Sequence, residues 1–155
     1  MATRVRPKPE ELYDRDFYVW TERQAELLRA RRFKELDLAN LIEEVEGLGD
    51  AKKSAVLSNA SVIIEHLLKL QHSPSKEPRR GWADTIPEHR DRLELELTPR
   101  LRQILENELP RVYALTRRRT DRRLRLYDEG EAADALPAVC LCPYTLEQIM
   151  GDWWP

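Results

Sequence analysis

The chain has 155 residues, 26 basic and 28 acidic side chains and a formal net charge of -2, with a pI near 6.0 and a mean hydropathy of -0.65. That length suits one domain and is enough to bury a real core. A charged fraction of 35% with no long apolar run excludes a membrane-spanning helix, and a hydrophobic fraction of 41% excludes a chain disordered throughout.

Composition points to helices. Leu occurs 23 times against 7 Val and 6 Ile, and Leu favours helix where β-branched residues favour strands. With 5 glycines there is little material for a phosphate-cradling loop, and neither G-x-G-x-x-G nor G-x-x-x-x-G-K occurs. The two cysteines, Cys140 and Cys142, make no disulfide framework, so a reducing cytoplasm is the expected compartment. The opening MATRVRPKPE is basic but no apolar stretch follows, unlike a secretory signal.

Residues 1–12, with Pro7 and Pro9, are expected as a flexible arm, and residues 13–155 as one helical-bundle domain. Phe17, Trp20, Leu27 and Leu28 suggest a first helix over about 15–30, with Asp14 or Asp16 as its cap and Gln24 interrupting the apolar face. Over 34–72, Leu38, Leu41, Ile42, Val45 and Leu48 follow helical spacing, and the pattern resumes at Ala55, Val56, Asn59, Val62, Ile63, His66, Leu67 and Leu70. Gly47 and Gly49 between the two stretches predict a kink or a break, since each costs about 1 kcal/mol in a helix interior.

Residues 73–81 read as a loop. A third helix over 83–97 presents Trp82, Ile86, Leu93 and Leu97, with Pro87 expected in its first turn. Thr98-Pro99 reads as cap and first position of a fourth helix reaching about 126, striped by Leu101, Leu105, Val112 and Leu115 and bent at Pro110. The tail, 128–155, reads as loop and short helix, with one or two turns between Tyr144 and Met150. The expected fold is all-α, a bundle of four main helices with a short helical C-terminal tail, because striped helices bury their faces against one another.

Charge is segregated. Residues 35–50 hold six acids and no base. Residues 111–125 hold Arg111, Arg117, Arg118, Arg119, Arg122, Arg123 and Arg125 against Asp121 alone. Residues 126–155 again hold six acids and no base. Guanidinium groups suit phosphate, so Arg111–Arg125 is a candidate nucleic-acid surface. The plainer alternative is a helix end balanced by the acidic segments within the fold or across a dimer.

Catalytic chemistry has no anchor. No G-x-S-x-G occurs. A bundle metal site would draw on His66 with Glu43 and Glu44, but no Glu-x-x-His pair is present, which favours His66 as a core or boundary histidine. His72 and His89 offer less. Cys140-x-Cys142 lacks the spacing and partners of a zinc site and reads as two small buried side chains. The four tryptophans read as packing anchors. Trp153-Trp154 would leave an apolar patch if it did not fold back.

Several motifs resemble one family. Tyr13-Asp14-Arg15-Asp16-Phe17-Tyr18-Val19-Trp20, Leu36-Asp37-Leu38-Ala39-Asn40-Leu41-Ile42-Glu43-Glu44-Val45-Glu46, His66-Leu67-Leu68-Lys69-Leu70-Gln71, Trp82-x-x-Thr85-Ile86 and Cys142-Pro143-Tyr144-Thr145-Leu146-Glu147-Gln148-Ile149 are similar to the bacterial family known as domain of unknown function twenty-nine. They occur in order over about 13–150. The chain departs from the family at Leu70, often Trp there, and at Trp153-Trp154. The resemblance implies an all-helical fold and a bacterial distribution, with no established reaction and so no catalytic residues or cofactor to carry over.

It does draw attention to Asn40, Glu43, Glu44 and His66, polar residues inside apolar motifs. The expectation is structural: Glu43 or Glu44 meets an arginine or His66 across the bundle and fixes helix register. The leading functional expectation is a non-enzymatic interaction or oligomerisation module, with a protein partner or a second copy, no cofactor and no membrane. The alternatives are nucleic-acid association through Arg111–Arg125 and a bundle metalloprotein using His66 and helix glutamates.

Overall fold

The computed structural model describes residues 9–155, with side chains from Leu12 onward. These form seven α-helices: α1 (Pro9–Arg15), α2 (Phe17–Arg29), α3 (Leu38–His72), α4 (Arg79–Glu96), α5 (Pro99–Leu126), α6 (Gly130–Asp134) and α7 (Leu146–Met150). The all-α expectation holds, and no strand occurs among the described residues. None of their helices is long and apolar enough to cross a membrane. Residues 1–8 of the expected arm lie outside the described residues, and its remainder opens α1.

The chain divides into two compact units, residues up to Ala51 and Lys52–Pro155. α3 belongs to both. The boundary follows Gly47 and Gly49, where the helix carries no side chain to pack. The helix itself does not break there: both glycines are helical, and a Cβ at either would meet nothing within 4 Å.

In the first unit the expected helix over 15–30 is two. Asp16 leaves helical conformation and accepts from the Val19 amide at 3.1 Å, which ends α1 and caps α2. Tyr13, Phe17 and Trp20 form an aromatic cluster with ring centroids 5.0 to 5.7 Å apart. Gln24, the interruption in the α2 stripe, is buried, and its Oε1 accepts the Asp37 amide at 2.9 Å. Arg31, at a φ of 55°, turns the chain after α2. Among the described residues of this unit Trp20 and Leu27 are the buried apolar side chains, and Phe17 and Leu28 of the predicted stripe stay exposed.

The second unit holds the apolar core. Val56, Ala60, Ile63, Ile64, Leu67 and Leu68 of α3 pack with Ile86 and Leu93 of α4, Leu105, Tyr113 and Leu124 of α5, and Ile149 of α7. Thr98 caps α5 by accepting from Leu101, with Pro99 at the first position. Pro87 was expected in a first turn but sits inside α4, because that helix begins at Arg79. Arg79 donates to the Leu70 carbonyl at 2.6 Å and to Ser73, satisfying carbonyls at the end of α3. α5 continues through Pro110, and both prolines are exposed, so water can take the carbonyls they leave free. Leu105 and Val112 of the predicted α5 stripe are buried and Leu115 is exposed, while Tyr113, Thr116, Thr120 and Leu124 also face inward.

The tail folds back. Buried Arg90 donates to the carbonyls of Gln148, Ile149 and Trp153 at 2.7 to 3.0 Å. Trp153 joins the core, and Trp154 covers the Arg90 guanidinium at 5.3 Å. Cys140 is exposed and Cys142 half-buried. The expectation of two buried cysteines fails because the segment between α6 and α7 runs over the surface.

Alanine at Gly47 or Gly49 should stabilise the protein by about 0.5–1 kcal/mol each, since neither position is crowded and alanine is the better helix former. Urea unfolding checks this, and a loss of stability would show that α3 needs a yielding segment there.

Candidate functional site

The most unusual polar group in the second unit is Glu65. It lies on the buried side of α3, between Ile63, Ile64, Leu67 and Leu68, and its side chain is 4% exposed. Three cations converge on it. Lys69 Nζ donates to Oε1 at 2.7 Å, Arg119 Nε donates to Oε2 at 2.9 Å, and Arg123 Nη1 also donates to Oε1. Arg119 further reaches Ser61 Oγ at 2.9 Å, and Ser61 bonds Thr116 at 2.6 Å. Burial alone would raise the Glu65 carboxyl pKa. The Lys69 hydrogen bond and the charges of Lys69, Arg123 and Arg119 outweigh it and hold the group below the ordinary carboxylate range.

Lys69 and Arg123 also line a pocket of about 690 Å³ with Ser75, Pro78, Trp82, Leu124, Leu126, Tyr127 and Glu129. Four segments build it: α3, the loop after it, the start of α4, and the end of α5 with the turn that follows. The Lys69 ammonium sits 5.6 Å from the Trp82 ring centre. Asp128, at a φ of 59°, reverses the chain after α5. On one side of this turn is Tyr127. On the other, Glu129 takes a hydrogen bond from Ser75 Oγ through Oε1, while its Oε2 is buried with no partner.

The residues singled out in the sequence fall elsewhere or acquire other partners. In the first unit, Asn40 donates to Asp37 Oδ2 at 2.7 Å, and Trp20 Nε1 donates to the same oxygen at 3.0 Å. Glu44 accepts from the Tyr13 hydroxyl at 2.7 Å, which helps push the Tyr13 pKa up to about 12. Glu43 is exposed. The expected contact of Glu43 or Glu44 with an arginine or His66 is therefore replaced by a tyrosine from α1. A neutral hydroxyl satisfies Glu44 at the edge of the helix without a countercharge.

His66 is half-buried in the second unit with Nδ1 unpartnered, and Asn59 pairs with His89 at 2.7 Å. Among the described residues no three His, Cys, Asp or Glu groups converge as a metal site would require.

The arginine block is mostly occupied. Arg119 and Arg123 meet Glu65, Arg125 meets Asp121 and Asp134, Arg111 meets Glu108, and Arg117 donates to the carbonyls of Pro137 and Leu136. Arg118 and Arg122 are exposed. The sequence displayed the block, but not that Glu65 anchors it or that Lys69, Trp82, Tyr127 and Glu129 share a pocket with it. A lone glutamate between four apolar residues of a core helix was the available signal.

Glu65→Gln should cost about 3 kcal/mol in urea unfolding, because it strands Lys69, whose side chain is 11% exposed. That is the lower end for a broken buried pair, since Arg119 and Arg123 can turn to water. An unchanged midpoint would remove Glu65 as an anchor.

A second expectation concerns pH. Burial lowers the pKa of His66, with help from the Lys69 charge, and burial lowers those of His72 and His89. A histidine with a lowered folded pKa binds its proton more readily when unfolded, so stability falls as pH drops below the ordinary histidine value of about 6.5. The urea midpoint should be lower at pH 5.5 than at pH 7.5 on those grounds, with the drop reduced in His66→Gln. A flat profile would contradict it.

No curated protein and no solved structure matches the chain. The family model described as "Domain of unknown function DUF29" matches residues 12–154, which takes in α2 to α7, the Glu65 cluster and the pocket. The chain belongs to that family.

Proposed function

We propose that the protein is a non-enzymatic interaction module that pairs with a second copy of itself through the first half of α3. The observation that carries this is the uncovered apolar face there. Leu38, Ile42, Val45 and Leu48 are 59%, 50%, 61% and 69% exposed. Of the fifteen exposed large apolar side chains among the described residues, nine lie before Ala51, where two apolar side chains are buried. A unit of this size with so small a core needs another surface to stabilise it.

Charge selects the occupant and its orientation. Arg29, Arg31, Arg32 and Lys34 immediately precede α3, and Glu43, Glu46 and Asp50 follow along it. Two copies packed antiparallel with Ile42 and Val45 at the centre bring Lys34, just before one helix, to within about one turn of Asp50 on the other. A parallel pair would instead set Lys34 beside Lys34 and Asp50 beside Asp50. Such a two-fold contact is self-complementary, as homodimer interfaces are.

Light scattering should report a dimer for the wild-type protein and a monomer for Ile42→Lys/Val45→Lys, with helical circular dichroism unchanged because both positions are exposed. A wild-type monomer at the highest soluble concentration would sink the proposal. The nucleic-acid alternative rests on Arg118 and Arg122, since the other arginines of the block hold groups of their own chain. A salt-dependent gel shift would revive it.

A further inference from the structure

We infer that the pocket between the end of α3, the start of α4 and the end of α5 is a binding site for a small organic anion carried on a flat ring that also offers an N–H or O–H donor. This inference is independent of pairing through α3, because every residue it uses lies in the second unit.

Size comes first. A volume of about 690 Å³ falls within the range of small-molecule sites and is far more than a lone inorganic ion fills. Charge comes second. Lys69, Arg119 and Arg123 share the carboxylate of Glu65, and Glu129 is the other carboxylate at the pocket, so the cluster and the lining together hold three cations against two carboxylates. Lys69 has three N–H donors and Arg123 has five. Glu65 is the one hydrogen-bond partner of each among the described residues. Several donors on two lining cations are therefore left for an acceptor such as a phosphate or carboxylate.

The walls supply the second half of the ligand. Trp82 and Tyr127 are aromatic, and Pro78, Leu124 and Leu126 are apolar. Tyr127 and Leu126 are largely exposed, so their apolar surface is available to a planar body. The third requirement comes from Glu129. Its Oε2 is buried without a partner, a costly arrangement for a carboxylate unless something donates to it. A turn of the Glu129 side chain toward the pocket it lines would expose that oxygen to a ring N–H or a ligand hydroxyl. The turn that brings Tyr127 and Glu129 to the rim uses Asp128 in the left-handed region, a conformation that costs free energy and recurs at ligand clamps. Nucleoside monophosphates and indole carboxylates both combine anion, ring and donor.

Isothermal titration of the full chain with AMP and, separately, with indole-3-acetate distinguishes those two sources. Saturable one-to-one binding of either is expected, with adenosine or inorganic phosphate alone binding more weakly. Tyr127→Ala, at an exposed position, and Arg123→Gln, which leaves Lys69 and Arg119 on Glu65, should each weaken binding by roughly tenfold. Ile42→Lys/Val45→Lys should leave it unchanged. Binding of neither anion, or affinity unaltered by either pocket substitution, would overturn the inference.

Discussion

Apolar surface has to be covered, and α3 meets that demand over only part of its length. From Val56 to Leu70 the helix is the spine of the core, with Ile63, Ile64, Leu67 and Leu68 fully buried. From Leu38 to Leu48 it carries the same kind of side chains at the same spacing, and they face solvent. The first unit replaces a core with polar contacts: Trp20 and Asn40 on Asp37, Gln24 on the Asp37 amide, and Tyr13 on Glu44. Each such bond contributes about 1 kcal/mol net. They fix how α1 and α2 approach the start of α3 but bury little area, so the drive to cover Leu38, Ile42, Val45 and Leu48 remains.

In the second unit the distinctive element is a carboxylate placed where hydrocarbon would pack more simply. A hydrophobic residue at position 65 could be as stable as the ion cluster there. What Glu65 adds is position: it draws Lys69, Arg119 and Arg123 to one point and holds two of them at the mouth of a pocket. An arginine run that looks like a diffuse basic surface in the sequence is thereby turned into a localised, partly neutralised group beside aromatic walls.

Helix content and most helix positions were legible because leucine-rich periodicity survives in any packing arrangement. Thr98-Pro99 marked the start of α5, and Asp16 was among the caps named. Periodicity says which residues share a face and is silent on whether anything covers it, which is why the Leu38–Leu48 stripe looked like core. Of the kink or break expected at Gly47 and Gly49 the break does not occur, because the preference of the flanking helix for continuing outweighs two unfavourable residues. Pairings across the chain left no local trace. Tyr13 with Glu44, Arg119 and Arg123 with Glu65, and Asn59 with His89 join positions 30 or more residues apart. For the same reason the pocket, built from four separate segments, was invisible while its arginine and tryptophan were each in plain view.

Amide hydrogen exchange along α3, followed over a range of protein concentration, addresses the uncovered face most directly. Pairing through the first half of the helix predicts that protection over residues 38–48 rises with concentration, while that over 56–70, set by the core of its own unit, stays constant. Protection over 38–48 that does not respond to concentration would contradict it.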